Sequence, residues 1–239
     1  MTAISLLIQI LGATSILLVL PLVYLFFKIY RLQRNVILLG MPLGFFFIAM
    51  SYIFLGLHLL NSQVIINTFS SSLMWLRVVT QTWGFTLIAS SYFLAGRSKN
   101  GPKHRFLSIA SWSIIAVVCA FGLLMIINPP GISSVYTVNV MFSAANIALL
   151  TYIIFFIIRK LELSNGSISG LISAPVAFAF LWLGQFSFLI WKLDGNSGDA
   201  AIVGSQIAPI IGLLLFIRIY YMTSKRCYQT DDGKQAQQS

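Results

Sequence analysis

The chain is read as an all-α, polytopic membrane protein with seven transmembrane helices, the N-terminus outside and the C-terminus in the cytoplasm. Three observations predict this class. Of 239 residues, 58% are hydrophobic and only 8% are charged, where a soluble domain carries about 25% charged residues. The apolar residues fall in runs long enough to cross the hydrocarbon core, which takes about 20 residues of helix. The formal charge of +10 lies in short clusters between those runs rather than on one basic face, which points to lipid and away from nucleic acid. Helices are expected rather than barrel strands, because the runs are about twice a barrel strand's length and do not alternate polar and apolar residues.

The first span is Ile4–Phe27, with Pro21 inside it. It has no basic segment before its apolar run and is too long for a signal peptide, so it is an uncleaved span. Lys28, Arg31 and Arg34 follow. The second span, Val36–Leu60, contains Pro42 in the step Gly40-Met-Pro-Leu-Gly44 and ends near His58. Small residues four apart let helices approach closely. The third span, Leu73–Gly96, is interrupted by Arg77, Gln81 and a ladder of hydroxyls that includes Ser90 and Ser91. Arg97, Lys99, Lys103 and Arg105 lead into the fourth span, Phe106–Asn128, which holds Cys119. The fifth, Tyr136–Ile158, carries Asn139, Ser143 and Asn146, and runs into Arg159 and Lys160. The sixth, Leu171–Trp191, carries Pro175 and Gln185 and stops at Lys192. The seventh, Ala200–Tyr221, carries Ser205, Gln206 and a second small-residue step, Ala208-Pro-Ile-Ile-Gly212. Residues 1–229 form one transmembrane domain. The polar tail Thr230–Ser239 is expected to be disordered.

Orientation follows from the loops. All 15 lysines and arginines except Arg77 and Lys192 fall on one side of this arrangement. The positive-inside rule makes that side cytoplasmic, and a plasma-membrane location is expected. Two internal similarities are visible. The stretch from Gly44 to Gly56 repeats the Gly, Phe, Ile, Ala, Ser, Tyr and Gly of the stretch from Gly84 to Gly96, which reads as a shared packing recipe. At a second, constant offset, Tyr24, Phe27 and Arg31 match Tyr152, Phe155 and Arg159, while Ala49, Leu55 and Gly56 match Ala177, Leu183 and Gly184. That offset implies a three-plus-one-plus-three plan.

The intramembrane chemistry excludes several classes. Glu162, Asp194, Asp199, Asp231 and Asp232 all lie in loops or the tail, so the carboxylate needed by a proton pump or cation-coupled carrier is missing. His58 and His104 fall at opposite faces, which rules out a shared metal or haem between them. No metal site, cofactor or catalytic residue is expected. The polar residues that remain cluster in the outer half of the spans: Arg77, Gln81, Asn139, Ser143, Asn146, Gln185, Gln206 and His58, with Gln9 and Ser205. Arg77 and Gln81 are four apart, as are Asn139 and Ser143, so each pair shares a helix face. The expectation is a ligand-binding layer open to the outside, which Asp194 or Asp199 would cover. The bland alternatives are amides that tie helices together and an arginine that snorkels to the interface. A sensor or small-molecule-binding module acting through a protein partner or homo-oligomer is the first functional expectation. A carrier for neutral or anionic solutes and an accessory subunit are the alternatives.

In span number and exported N-terminus the chain resembles the microbial rhodopsins. That family carries retinal on a lysine in the middle of helix seven, where this chain reads Gln206-Ile-Ala-Pro-Ile-Ile-Gly212 without a lysine. The resemblance therefore implies a seven-helix sensor-type module without retinal. The plan also looks like that of three-plus-one-plus-three sugar transporters, without their Pro-Gln motif. After the third span, Ala95-Gly-Arg-Ser replaces the acidic-Arg-aromatic motif of G-protein-coupled receptors.

Overall fold

A computed structural model describes residues 3–33, 39–61, 67–97, 132–162, 173–194 and 198–235. They form six helices: α1 (Ala3–Gln33), α2 (Gly40–Asn61), α3 (Asn67–Arg97), α4 (Ile132–Glu162), α5 (Ser173–Asp194) and α6 (Gly198–Gln235). Five of them are long and apolar enough to cross a membrane: the segments Leu6–Arg31, Gly40–His58, Asn139–Arg159, Ala174–Leu193 and Ala200–Tyr221. The described residues are thus almost wholly helical, and the protein is a multi-pass integral membrane protein. Its outer surface agrees, since Leu17 on α1 is 70% exposed and Met141 on α4 is 65% exposed. Apolar surface of that extent suits lipid rather than water. The predicted fourth span, Phe106–Asn128, lies outside the described residues.

The helices pack as a closed ring in chain order, each against its two sequence neighbours, with α1 closing on α6. Contacts between named residues give the directions. Phe26 near the end of α1 meets Phe45 near the start of α2; Gly40 meets Leu87 while Gly44 meets Gly84; and Asn146 meets Gln185 while Thr151 meets Trp182, so α1/α2, α2/α3 and α4/α5 are antiparallel. Trp75 meets Phe142 and Tyr92 meets Phe156, so α3 and α4 are parallel. The chain therefore leaves α3 at one end of the ring and begins α4 at the other. Helices α1, α3, α4 and α6 all start at the same end, called the upper end below.

Two glycine contacts set the tightest crossings. A Cβ on Gly44 would stand 2.7 Å from the Gly84 carbonyl oxygen, and one on Gly84 would stand 2.7 Å from that of Gly44. The start of the block shared by the second and third spans is thus the point where α2 and α3 touch. The step Gly40–Gly44 lies along this seam, as its spacing predicted. In the same way Gly212 lies against the Ala177 carbonyl oxygen, 2.7 Å from the position of an added Cβ, and Gly184 lies against Pro209.

Three details differ from the sequence expectation. Pro42 and Pro175 fall in the first turns of α2 and α5 rather than mid-helix, where a missing N–H breaks no bond. Only Pro21 and Pro209 lie inside their helices. Helix α6 continues to Gln235, into the tail expected to be disordered from residue 230. No proline interrupts that stretch, although Thr230, Asp231, Asp232 and Gly233 are weak helix formers. Finally, α3 is not among the five apolar segments, because Arg77, Gln81 and its hydroxyls lower its hydropathy. Its burial between α2 and α4 makes that tolerable, since polar side chains facing other helices never meet lipid.

Candidate functional site

The ring interior is polar above and aromatic below. The lower part is a chain of rings. Phe26 stacks on Phe45 at 5.1 Å, Phe45 meets Phe216 edge-on at 5.4 Å, and Phe178 meets Phe216 at 4.8 Å. Tyr92 continues it to Phe178 at 5.8 Å. These rings come from α1, α2, α3, α5 and α6 and fill the space between the helices. They make a floor.

Above the floor lies a layer of amides. Gln81 on α3, Asn146 on α4, Gln185 on α5 and Gln206 on α6 are all buried. Asn146 Nδ2 donates to Gln185 Oε1 at 3.2 Å. Gln206 Nε2 reaches only its neighbour Ser205 Oγ, at 3.3 Å. Asn139 and Ser143 are buried nearer the top of α4. Five hydroxyls of α3 bond within their own helix. Thr80, Thr82, Thr86, Ser90 and Ser91 each donate to a carbonyl one turn back in their own helix, at 2.7–3.0 Å. A hydroxyl so bonded is satisfied without tertiary help.

Arg77 stands one turn above Gln81. It is only 6% exposed, so it does not snorkel. Its guanidinium carbon lies 4.8 Å from the centroid of Phe188 on α5, although α3 packs mainly on α2 and α4. The side chain therefore crosses the interior. Nη1 also makes a long contact with Met74 Sδ at 3.9 Å. Tyr52 of α2 is near enough to interact electrostatically, and its hydroxyl is within hydrogen-bond reach of the buried Ser15 on α1. Lys192 approaches the same Phe188 ring at 5.8 Å and lies 4.3 Å from the Trp191 centroid. Lys192 engages further groups as well. The side chains of all five acidic residues lie outside the described ones.

Among the described residues, four buried polar atoms have no hydrogen-bond partner: Gln9 Nε2, Asn139 Oδ1, Asn146 Oδ1 and Gln206 Oε1. All four belong to the upper polar layer. Leaving such a group unmet costs about 1–3 kcal/mol, and an amide can turn to present either its oxygen or its NH2.

Of the expected site residues, the structure brings Arg77, Gln81, Asn139, Ser143, Asn146, Gln185 and Gln206 to the buried upper interior. His58 is half-buried near the end of α2, also at the upper end, with interactions of its own. The expectation that Asp194 or Asp199 covers the layer concerns side chains outside the described residues. Sequence reasoning missed Phe188, Tyr52 and Ser15. Phe188 was within reach of it: Gln185, Phe188 and Lys192 recur at three and four residues, which is one helix stripe. Tyr52 and Ser15 carried no such signal. Among the described residues no three of His, Cys, Asp or Glu group as metal ligands. No family model, no curated protein and no solved structure matches the chain.

Proposed function

We propose that this is a non-enzymatic membrane sensor or small-molecule-binding module, whose ligand enters the polar interior from outside the cell and whose state is passed to a partner protein. In this reading α3 and the segment Phe106–Asn128 also cross the bilayer. That makes seven spans, and the basic loops hold the lower end in the cytoplasm. One observation carries the reading. If the amides were packing glue they would bond across helices, yet among the described residues only the Asn146–Gln185 pair does so. Asn139, Asn146 and Gln206 instead keep buried ends unmet. Such capacity is what a ligand or ordered water satisfies. The aromatic floor supports binding over free passage, because it fills the interior below the polar layer.

The test is gentle purification from the native membrane, with mass spectrometry of what stays bound. A small molecule retained by the wild type and lost from Gln185→Leu and Gln206→Leu variants of unchanged helicity is the expected result. Retention by those variants, or a gain in stability with nothing bound to the wild type, rejects the reading. A solute carrier is the second reading. It is favoured by the two three-helix halves, α1–α3 and α4–α6, which begin at the same end and alternate direction alike, as parallel repeats in transporters do. Uptake of the retained molecule into proteoliposomes separates the two readings.

A further inference from the structure

We propose that the ligand of this protein is a small neutral molecule that donates at least two hydrogen bonds, of the polyol or primary-amide kind, and that Asn146 and Gln206 accept them. The inference rests on the binding reading above and narrows it to a chemical class. Among the described residues, three buried side chains of α4 and α6 keep an unmet atom, and all three atoms are oxygens: Asn139 Oδ1, Asn146 Oδ1 and Gln206 Oε1. These residues are 3%, 1% and 2% exposed. The bonds around Gln206 fix which of its ends is free. Ser205 Oγ gives its proton to the Ile202 carbonyl oxygen at 2.6 Å, so toward Gln206 it can only accept. Gln206 therefore turns its NH2 to Ser205, at 3.3 Å, and its oxygen is left over. Asn146 commits its NH2 to Gln185 Oε1 at 3.2 Å, with the same result. Asn146 and Gln206 stand at one depth, because Gly184, next to Gln185 on α5, lies against the Ser205 carbonyl oxygen, 3.3 Å from an added Cβ. Asn139 lies two turns above Asn146 on the same helix face. A buried free acceptor is met by a donor. An anion brings only acceptors and fits none of the three. A buried cation needs a charged partner, and every acidic residue lies about 10 Å or more along its helix from this depth. What fits is a neutral molecule with two or more O–H or N–H groups, held above the aromatic floor.

The experiment uses the full chain in phosphatidylcholine nanodiscs and follows its melting temperature against matched pairs of neutral probes. One pair is erythritol and its tetra-O-methyl ether. The other is malonamide and N,N,N′,N′-tetramethylmalonamide. Within a pair the capped member keeps the oxygens and loses every donor. The expected result is a saturable rise with the donor-bearing member of at least one pair, of about 5–10 °C at a hundredfold excess over its Kd, and none with its capped partner. Gln206→Met abolishes the response and raises the melting temperature without probe, since it removes a buried acceptor that the empty protein leaves unmet. Asn146→Leu raises the half-saturating concentration about twofold to tenfold, the worth of one neutral hydrogen bond. Where Gln206→Met does not fold, Asn146→Leu and Asn139→Leu decide. Equal responses to both members of each pair, or an unchanged response in these variants, overturns the proposal. No donor-dependent response from the wild type also overturns it, and assigns the three oxygens to ordered water. A saturable response to sodium or potassium chloride over choline chloride, lost from Gln206→Met, overturns it in favour of a cation site. A molecule without O–H or N–H groups retained on native purification sinks the donor assignment and leaves the binding reading standing.

Discussion

Arg77 illustrates how far one side chain's environment departs from its place in the sequence. A residue near a span end has an escape route to the interface. Arg77 does not take it, because the interior offers Phe188 at 4.8 Å. A desolvated cation over a ring is worth about 2 kcal/mol. Phe188→Leu is therefore expected to destabilise the protein by roughly that amount, measured by thermal unfolding in detergent. A loss close to zero would mean that Arg77 is held by other groups. Glycines provide a second residue-scale contrast. Gly84 and Gly44 each have the other's carbonyl oxygen 2.7 Å from an added Cβ, whereas Gly56 has nothing within 4 Å. Gly84→Val is expected to cost at least ~1–3 kcal/mol through overpacking. Gly56→Ala is expected to be neutral or to stabilise by ~0.5–1 kcal/mol, because alanine is the better helix former. Equal melting temperatures for the two variants would contradict the packing described for the α2–α3 seam.

At the scale of the element, α3 is the informative helix. The hydroxyls of Thr82, Thr86 and Ser90 donate to their own backbone. Thr82→Val with Thr86→Val should then leave both ligand retention and melting temperature nearly unchanged. A large loss would show that these hydroxyls serve a partner beyond their own helix. The amides behave differently. Asn146 and Gln185 join α4 to α5, and a double-mutant cycle of Asn146→Leu and Gln185→Leu should return a coupling of about 0.6–2 kcal/mol. A coupling of zero would mean that the two amides are independent in the membrane. The helices themselves were legible as apolar runs. Their ends were less so: α6 runs to Gln235, beyond the apolar stretch.

On the scale of the whole molecule, the ring divides into two three-helix halves with the same starting end. The faint similarity between spans one and five and between two and six fits this only partly. Ala49 and Ala177 are both buried, and Phe27 and Phe155 are both exposed. Leu55 is buried where its counterpart Leu183 is exposed, so the two halves pack differently there. The proposed orientation gives the molecule's own test. A fluorescent protein fused after Ser239 should fold and fluoresce in the cytoplasm, while an alkaline phosphatase fused there should stay inactive. An active phosphatase would invert the topology and place the polar layer on the inner side.

What the sequence determined by itself is the class and the inventory. Composition and run length dictate membrane helices, because bilayer thickness and the absence of water leave no other use for such runs. Spacing and approximate depth also put Arg77, Gln81, Asn139, Asn146, Gln185 and Gln206 in one half of the spans. Only the tertiary structure decided what those residues face. Periodicity says which residues share a side of one helix, but apolar surroundings on every side leave the inward side unmarked. Ring closure chose it. Packing carried Arg77 across to Phe188 and left the amides largely without one another. Which polar atoms meet is a property of helix rotation and crossing, and both are set by contacts between segments distant in the chain.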